Sequence, residues 1–289
     1  NIGVVCWNKG EYDKALEYYD RSLKIREDMG DKAGMGQTLG NIGVVHADKG
    51  ELDKALEYDT KSLKIQEEIG DKYGIKINLC NIGCVHADKG EYDKAFEYYD
   101  RSLKIDEDMG DKSGMGINLG NIANVYCYRG KYDTALEYYE RSLKIADEIG
   151  DKSGMGNTLG NIGMVHSYKG NYDKALEYHD RSLKIAEEIG DKRVMGNTLN
   201  NIGAEHANKG EYDKALDYYD KSLKIREEIG DKNGMGKTLN NIGAEYANKG
   251  EYDKVLEYYD RALKIKEEIG DKRGMAVSLN NIGMVHSYK

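Results

Sequence analysis

The dipeptide Asn-Ile recurs at Asn1, Asn41, Asn81, Asn121, Asn161, Asn201, Asn241 and Asn281, so one 40-residue unit repeats without insertion along the chain. A period in this range marks a stacked array, because one short unit cannot bury its own apolar face and its neighbours must complete the core. The expectation is a single quasi-one-dimensional run over residues 1–289, seven units and part of an eighth, with no internal domain boundary.

Inside the unit from Asp31 to Gly70, Met35, Leu39, Ile42 and His46 follow at helical spacing and predict helix A. Leu52, Ala55, Leu56, Tyr58, Ser62, Leu63, Ile65 and Ile69 predict helix B. Gly70 stands where a left-handed helix end favours a residue without Cβ, and Asp71 is placed to cap the next helix A. On helix B, Glu17 with Arg21 and Asp20 with Lys24 put acid before base four residues apart, each pair worth about 0.2–0.5 kcal/mol on a solvated face. Helix A carries Gly34, Gly36, Gly40 and Gly43, each costing roughly 0.5–1 kcal/mol against Ala in a helix interior. The first two are expected at the frayed start of the helix, and the last two imply close helix packing.

Composition narrows the function. Lys and Arg total 43 against 52 Asp and Glu, a net charge of −9, which argues against a nucleic-acid backbone as partner. The absence of Pro excludes proline-rich linkers. No apolar run approaches the ~18 residues of a membrane span. Four Cys and no Asn-x-Ser/Thr acceptor suggest a reducing, cytoplasmic setting. The sequence opens part-way through a helix A and stops before the next helix B, so a fragment of a longer array is expected, with end faces able to stack on further repeats.

Leu39, Ile42, Gly43, His46, Gly50, Leu52 (Tyr in the other units), Ala55 and Tyr58 together resemble the tetratricopeptide repeat (TPR). Its small framework positions correspond to Gly3, Gly43, Gly83, Ala123, Gly163, Gly203, Gly243 and Gly283, partnered by Ala15, Ala55, Ala95, Ala135, Ala175, Ala215 and Val255. The usual terminal Pro is missing and the unit is longer than the family's 34 residues. The stretch Gly30-Asp31-Lys32-Ala33-Gly34-Met35-Gly36, followed by Gly40-Asn41-Ile42-Gly43, is similar to the longer repeats of LGN/Pins-type G-protein-signalling modulators and, less closely, of kinesin light chain.

The resemblance implies an all-α fold, a right-handed α-solenoid (superhelix) of antiparallel helix pairs whose concave face is lined by A helices and binds a peptide. It also implies an Asn ladder that contacts the partner's main chain: Asn41, Asn81, Asn121, Asn161, Asn201, Asn241 and Asn281. An Asn amide both donates and accepts, so a row of them can pair with an extended backbone of any sequence. The alternative is that these residues bond between neighbouring helices and set the superhelix. Where the subgroup tends to have Arg four residues earlier, this chain has Gln37, Ile77, Ile117, Asn157, Asn197, Lys237 and Val277.

Selectivity is expected from groove positions that vary between units. One before the ladder Asn these are Gly40, Cys80, Gly120, Gly160, Asn200 and Asn240; three after, Val44, Cys84, Asn124, Met164, Ala204 and Ala244; seven after, Asp48, Asp88, Tyr128, Tyr168, Asn208 and Asn248. Neutral drift after duplication explains the same variation. Of these, Asn124, Tyr128, Tyr168, Asn208 and Asn248 join Asn41 to Asn241 of the ladder as the candidate peptide-binding set.

Other features read as structural. Cys80 and Cys84, four apart, with Cys127 nearby, do not recur as a metal motif. His46, His86, His166, His206 and His286 share a position with Tyr126 and Tyr246, which marks packing, and His179 replaces a helix B Tyr. Gly34, Gly36 and Gly40 are spaced one residue too long for a phosphate loop and follow no strand. Glu205 and Glu245 replace Val45, Val85, Val125 and Val165, implying either a wet groove or a cationic partner group. No catalytic, cofactor or metal site is expected. The sequence thus points to a non-catalytic scaffold for a peptide or protein, with a structural spacer or end-to-end self-associating array as the alternative.

Overall fold

The computed structural model describes residues 2–288. Two compact units divide the chain, residues 1–145 and 146–289. The first contains α1 (Ile2–Asn8), α2 (Tyr12–Met29), α3 (Lys32–Asp48), α4 (Leu52–Ile69), α5 (Lys72–Asp88), α6 (Tyr92–Met109), α7 (Lys112–Tyr128) and most of α8 (Tyr132–Glu148). The second contains the end of α8, then α9 (Lys152–Tyr168), α10 (Tyr172–Ile189), α11 (Lys192–Asn208), α12 (Tyr212–Ile229), α13 (Lys232–Asn248), α14 (Tyr252–Glu268) and α15 (Lys272–Tyr288). Odd-numbered helices are A and even-numbered ones B. Within each unit they stack as antiparallel pairs in an all-helical solenoid.

The turns follow from local chemistry. Gly70 takes φ 69° and the Asp71 N–H closes on the Gln66 carbonyl at 3.0 Å, the bond that ends a helix at a left-handed residue. Asp31, Asp111, Asp151, Asp191, Asp231 and Asp271 cap the following A helices, each carboxylate accepting the N–H three residues on at 2.8–3.0 Å. Asp71 departs from the expectation: its side chain makes no cap bond, and the Gln66 amide crowds the same first turn beside Gly74.

The helix A glycines are contact positions, and Gly34 and Gly36 are buried inside α3 rather than frayed. A Cβ on Gly36 would stand 2.5 Å from the Gln66 amide nitrogen. At Gly3, Gly83, Gly203 and Gly243 it would stand 2.5–2.8 Å from the ring of Tyr19, Tyr99, Tyr219 or Tyr259. The group lying on these four framework glycines is therefore the ring four residues after the expected small partner. Gly163 faces the His179 ring in the same way, and Gly43 faces the Asp59 carboxyl.

Helix B also bonds directly to helix A. The hydroxyls of Ser62, Ser102, Ser142, Ser182 and Ser222 donate to the carbonyls of Gly36, Lys76, Gly116, Gly156 and Gly196 at 2.7–2.9 Å. Outer-face pairs of the expected kind close at 2.6 Å in Glu57–Lys61 and Asp217–Lys221. In the first repeat Arg21 lies instead over the Tyr18 ring.

Candidate functional site

At 3.6 residues per turn, offsets of −4, +3 and +7 from a given residue fall within about 60° of it around the helix. The ladder therefore shares one stripe of each A helix with the variable positions three and seven after it, whereas the position one before it, Gly40 to Asn240, lies about 100° round the helix and off that stripe. Asn41, Asn81, Asn121, Asn161, Asn201, Asn241 and Asn281 are half-buried, while Gln37, Ile77, Ile117, Asn157, Asn197 and Lys237 at one edge are exposed. Asp48, Asp88, Tyr128, Tyr168, Asn208 and Asn248 at the other edge are exposed as well.

The ladder is of two kinds. Asn121 donates to Cys80 Sγ at 3.3 Å and Asn241 to Asn200 Oδ1 at 3.1 Å, so these two tie their helix to the preceding helix A. The side chains of Asn41, Asn81, Asn161 and Asn201 make no hydrogen bond among the described residues. Their amides are half-buried and open to a ligand or to water.

Further residues of the candidate set are engaged sideways. Asn124 accepts from the Tyr139 hydroxyl of helix B. Asn248 donates to Glu245 at 3.1 Å, and Asn208 bonds Glu205. Tyr128 and Tyr168 are 63% and 59% exposed, and Tyr128 stacks on Tyr92 with centroids 6.2 Å apart.

Glu205 and Glu245 lie beneath this face, at 3% and 5% exposure, in the slots that Val45 and Val85 fill elsewhere. They are neither the lining of a wet groove nor a contact for a cationic partner. Burial pushes both carboxyls above their usual range, and Ser167 donates to Glu205 at 2.9 Å.

The shared histidines pack as expected. His46, His86, His166 and His206 stack on Tyr58, Tyr98, Tyr178 and Tyr218 at 5.3 Å. Nδ1 of His46, His86 and His206 meets Glu51, Glu91 or Glu211, whereas His166 Nδ1, with Asn171 at that place, has no partner. The His286 side chain lies outside the described ones.

The neighbouring Cys84 and then burial push the Cys80 thiol up, while Cys84 is held below the usual thiol range by Cys80. No group of three or more His, Cys, Asp or Glu among the described residues is arranged to hold a metal ion. None of their helices is long and apolar enough to cross a membrane.

The family profile described as tetratricopeptide repeat matches residues 1–68, 34–108, 115–188, 154–228 and 194–268. No curated protein matches the sequence. Among solved structures, BtubC (BKLC) from P. vanneervenii is similar at 19% identity and TM-score 0.62, over 76% of this chain and 92% of that one. The apo form of RapI is similar at 17% identity and TM-score 0.70, over 93% and 96%. A Rap protein complexed with competence and sporulation factor is similar at 16% identity and TM-score 0.69, over 100% and 84%. At these identities the likeness concerns the fold alone.

Proposed function

The chain belongs to the tetratricopeptide repeat family, and we propose that it is a non-catalytic scaffold whose repeats act as one array and bind an extended peptide or partner protein across their A helices. The observation that carries this reading is the set of unengaged side-chain amides on Asn41, Asn81, Asn161 and Asn201, each half-buried at the same position of its own A helix. Each can offer a donor and an acceptor to a passing main chain, the mode implied by the resemblance to LGN/Pins-type repeats. A net hydrogen bond contributes about 0.5–1.5 kcal/mol, so useful affinity requires several repeats together. The structural likeness to a Rap protein that carries competence and sporulation factor supports a bound partner on this fold. A reducing, cytoplasmic setting is the compartment that suits four free thiols.

A structural reading has its own support in Asn121 and Asn241, whose bonds join neighbouring A helices. Peptide display on the whole chain, followed by titration of an enriched peptide, separates the two. Asn161→Ala with Asn201→Ala should weaken that peptide about tenfold at unchanged helicity, as two lost hydrogen bonds imply. Unaltered affinity would remove the ladder mechanism. An absence of any enriched peptide, with sedimentation showing concentration-dependent association, would establish the array as a self-assembling spacer.

A further inference from the structure

From Asn41 to Asn241 the open amides come in adjacent pairs, Asn41 with Asn81 and Asn161 with Asn201, and the two pairs sit in different surroundings. Beside Asn161 and Asn201 the stripe holds Asn157, Asn197, Met164, Ala204, Tyr168 and Asn208, with no charge among them. Beside Asn41 and Asn81 stand the exposed carboxylates Asp48 and Asp88, with Val44 and the exposed Ile77 on the same stripe.

Among the described residues no cation pairs with these two carboxylates. Lys49 and Lys89, next to them in sequence, turn away to Asp13 and Asp53 at 2.6 Å. Asp48 accepts the Trp7 indole N–H at 2.5 Å, a neutral donor. Partial burial, and then the neighbouring Asp48 charge, holds the Asp88 carboxyl above its usual range. Like charges on adjacent helices repel, and a cation between them relieves both at once.

We propose that the α3–α5 face is the selective station of the binding surface and takes an extended segment bearing a lysine or arginine next to a branched aliphatic side chain. The segment's main chain lies on Asn41 and Asn81, its cation between Asp48 and Asp88, and its aliphatic group against Val44, one turn before Asp48. This rests on the reading of the open ladder amides as main-chain contacts. It also fits the departure from the subgroup, since Gln37 and Ile77 stand where a row of Arg would favour acidic peptides.

The test uses the whole chain and short degenerate peptide pools that differ only in one fixed central residue, Arg, Lys, Gln or Glu. The Arg and Lys pools should bind about fivefold to tenfold more tightly than the Gln pool, as two partly exposed ion pairs allow. The advantage should shrink as salt is added. Asp48→Asn with Asp88→Asn should abolish it and leave the Gln pool unchanged. Asp28→Asn with Asp108→Asn makes the same change in net charge at exposed sites on helix B and should leave it intact. Asn41→Ala with Asn81→Ala should weaken every pool. Equal binding of the Arg and Gln pools, or a basic preference that survives in the Asp48/Asp88 variant, would overturn the selective station while leaving the main-chain contacts standing. Pools that ignore the Asn41/Asn81 variant, or no binding by any pool, would overturn both.

Discussion

In the first unit, Lys76 reaches from α5 to Asp106 of α6 at 2.6 Å and to Asp111, with Lys76 and Asp106 both almost wholly buried. In the second unit the same place between helices is filled from the other side. Arg226 of α12 and Lys266 of α14 lie over Gly196 and Gly236, whose missing side chains make the room. Their charged ends reach Asp231 at 2.5 Å and Asp271 at 2.9 Å. The source of the charge differs between the units, and Gly196 and Gly236 are the complement of a long neighbour on helix B, whereas Gly116 and Gly156 at the same position stand in repeats that carry Ala146 and Ala186. The anions differ in their access to water: the Asp106 side chain is 1% exposed, against 28% for Asp231 and 31% for Asp271.

That difference predicts the largest effect. Lys76→Met leaves Asp106 in a dry site with only Asn118 donating to it, and should cost about 3–5 kcal/mol in denaturant unfolding. Lys266→Met leaves Asp271 able to hydrate and should cost about 1 kcal/mol. Equal costs would show that desolvation does not distinguish the units. Lys76→Gly combined with Asp106→Arg rebuilds the arrangement of the second unit and should recover most of the loss.

A second contrast concerns the ring that rests on the framework glycine. In the first unit that place holds Asp59 in one repeat, 1% exposed, with both oxygens unpartnered. Burial, with a smaller contribution from Cys84, pushes its carboxyl up to about 8. In the second unit it holds His179 in one repeat, which burial lowers to about 4. Between about pH 4 and 8 the folded chain holds a proton on Asp59 that the unfolded chain has released, so stability falls as pH rises through this window. For His179 the unfolded chain holds the extra proton, so stability falls as pH drops from about 6.5 to 4. Asp59→Asn should flatten the first slope and His179→Tyr the second, each followed by thermal unfolding across pH. Asp59→Tyr, which restores the ring of the other repeats, should add about 2 kcal/mol. Parallel slopes for the two single variants would break the contrast.

The smallest effect sharpens a contrast within the histidine row. Asn171→Glu gives His166 the carboxylate that His46, His86 and His206 already meet, and should add about 0.5–1 kcal/mol. The His166 pKa, now lowered by burial first and then by Lys174 and Lys169, should rise in an NMR titration. An unmoved pKa would show that the new carboxylate does not reach Nδ1.

The helices, their period and their ends were legible because they depend on near neighbours in the chain. Apolar residues at helical spacing predicted the A and B helices, and Gly70 was readable as a helix end because a positive φ strains any residue with a Cβ. The stripe bearing the ladder was legible for the same reason. The recurrent Ser62-type bond was not, because a serine among apolar positions carries no mark of a partner 26 residues away.

What the sequence by itself determined is therefore the repeat, the helix pairs, the turns and the row of asparagines. Only the tertiary structure decided which asparagines remain open. Asn121 is engaged because Cys80, 41 residues earlier, comes within 3.3 Å, and Asn241 because Asn200 does the same at 3.1 Å. It also decided that Glu205 and Glu245 are buried, that the Asp71 side chain makes no cap bond, and that Asp48 and Asp88 meet no cation among the described residues. Each outcome turns on side chains from different helices competing for one volume or one hydrogen bond, and periodicity along a single helix carries no information about who wins.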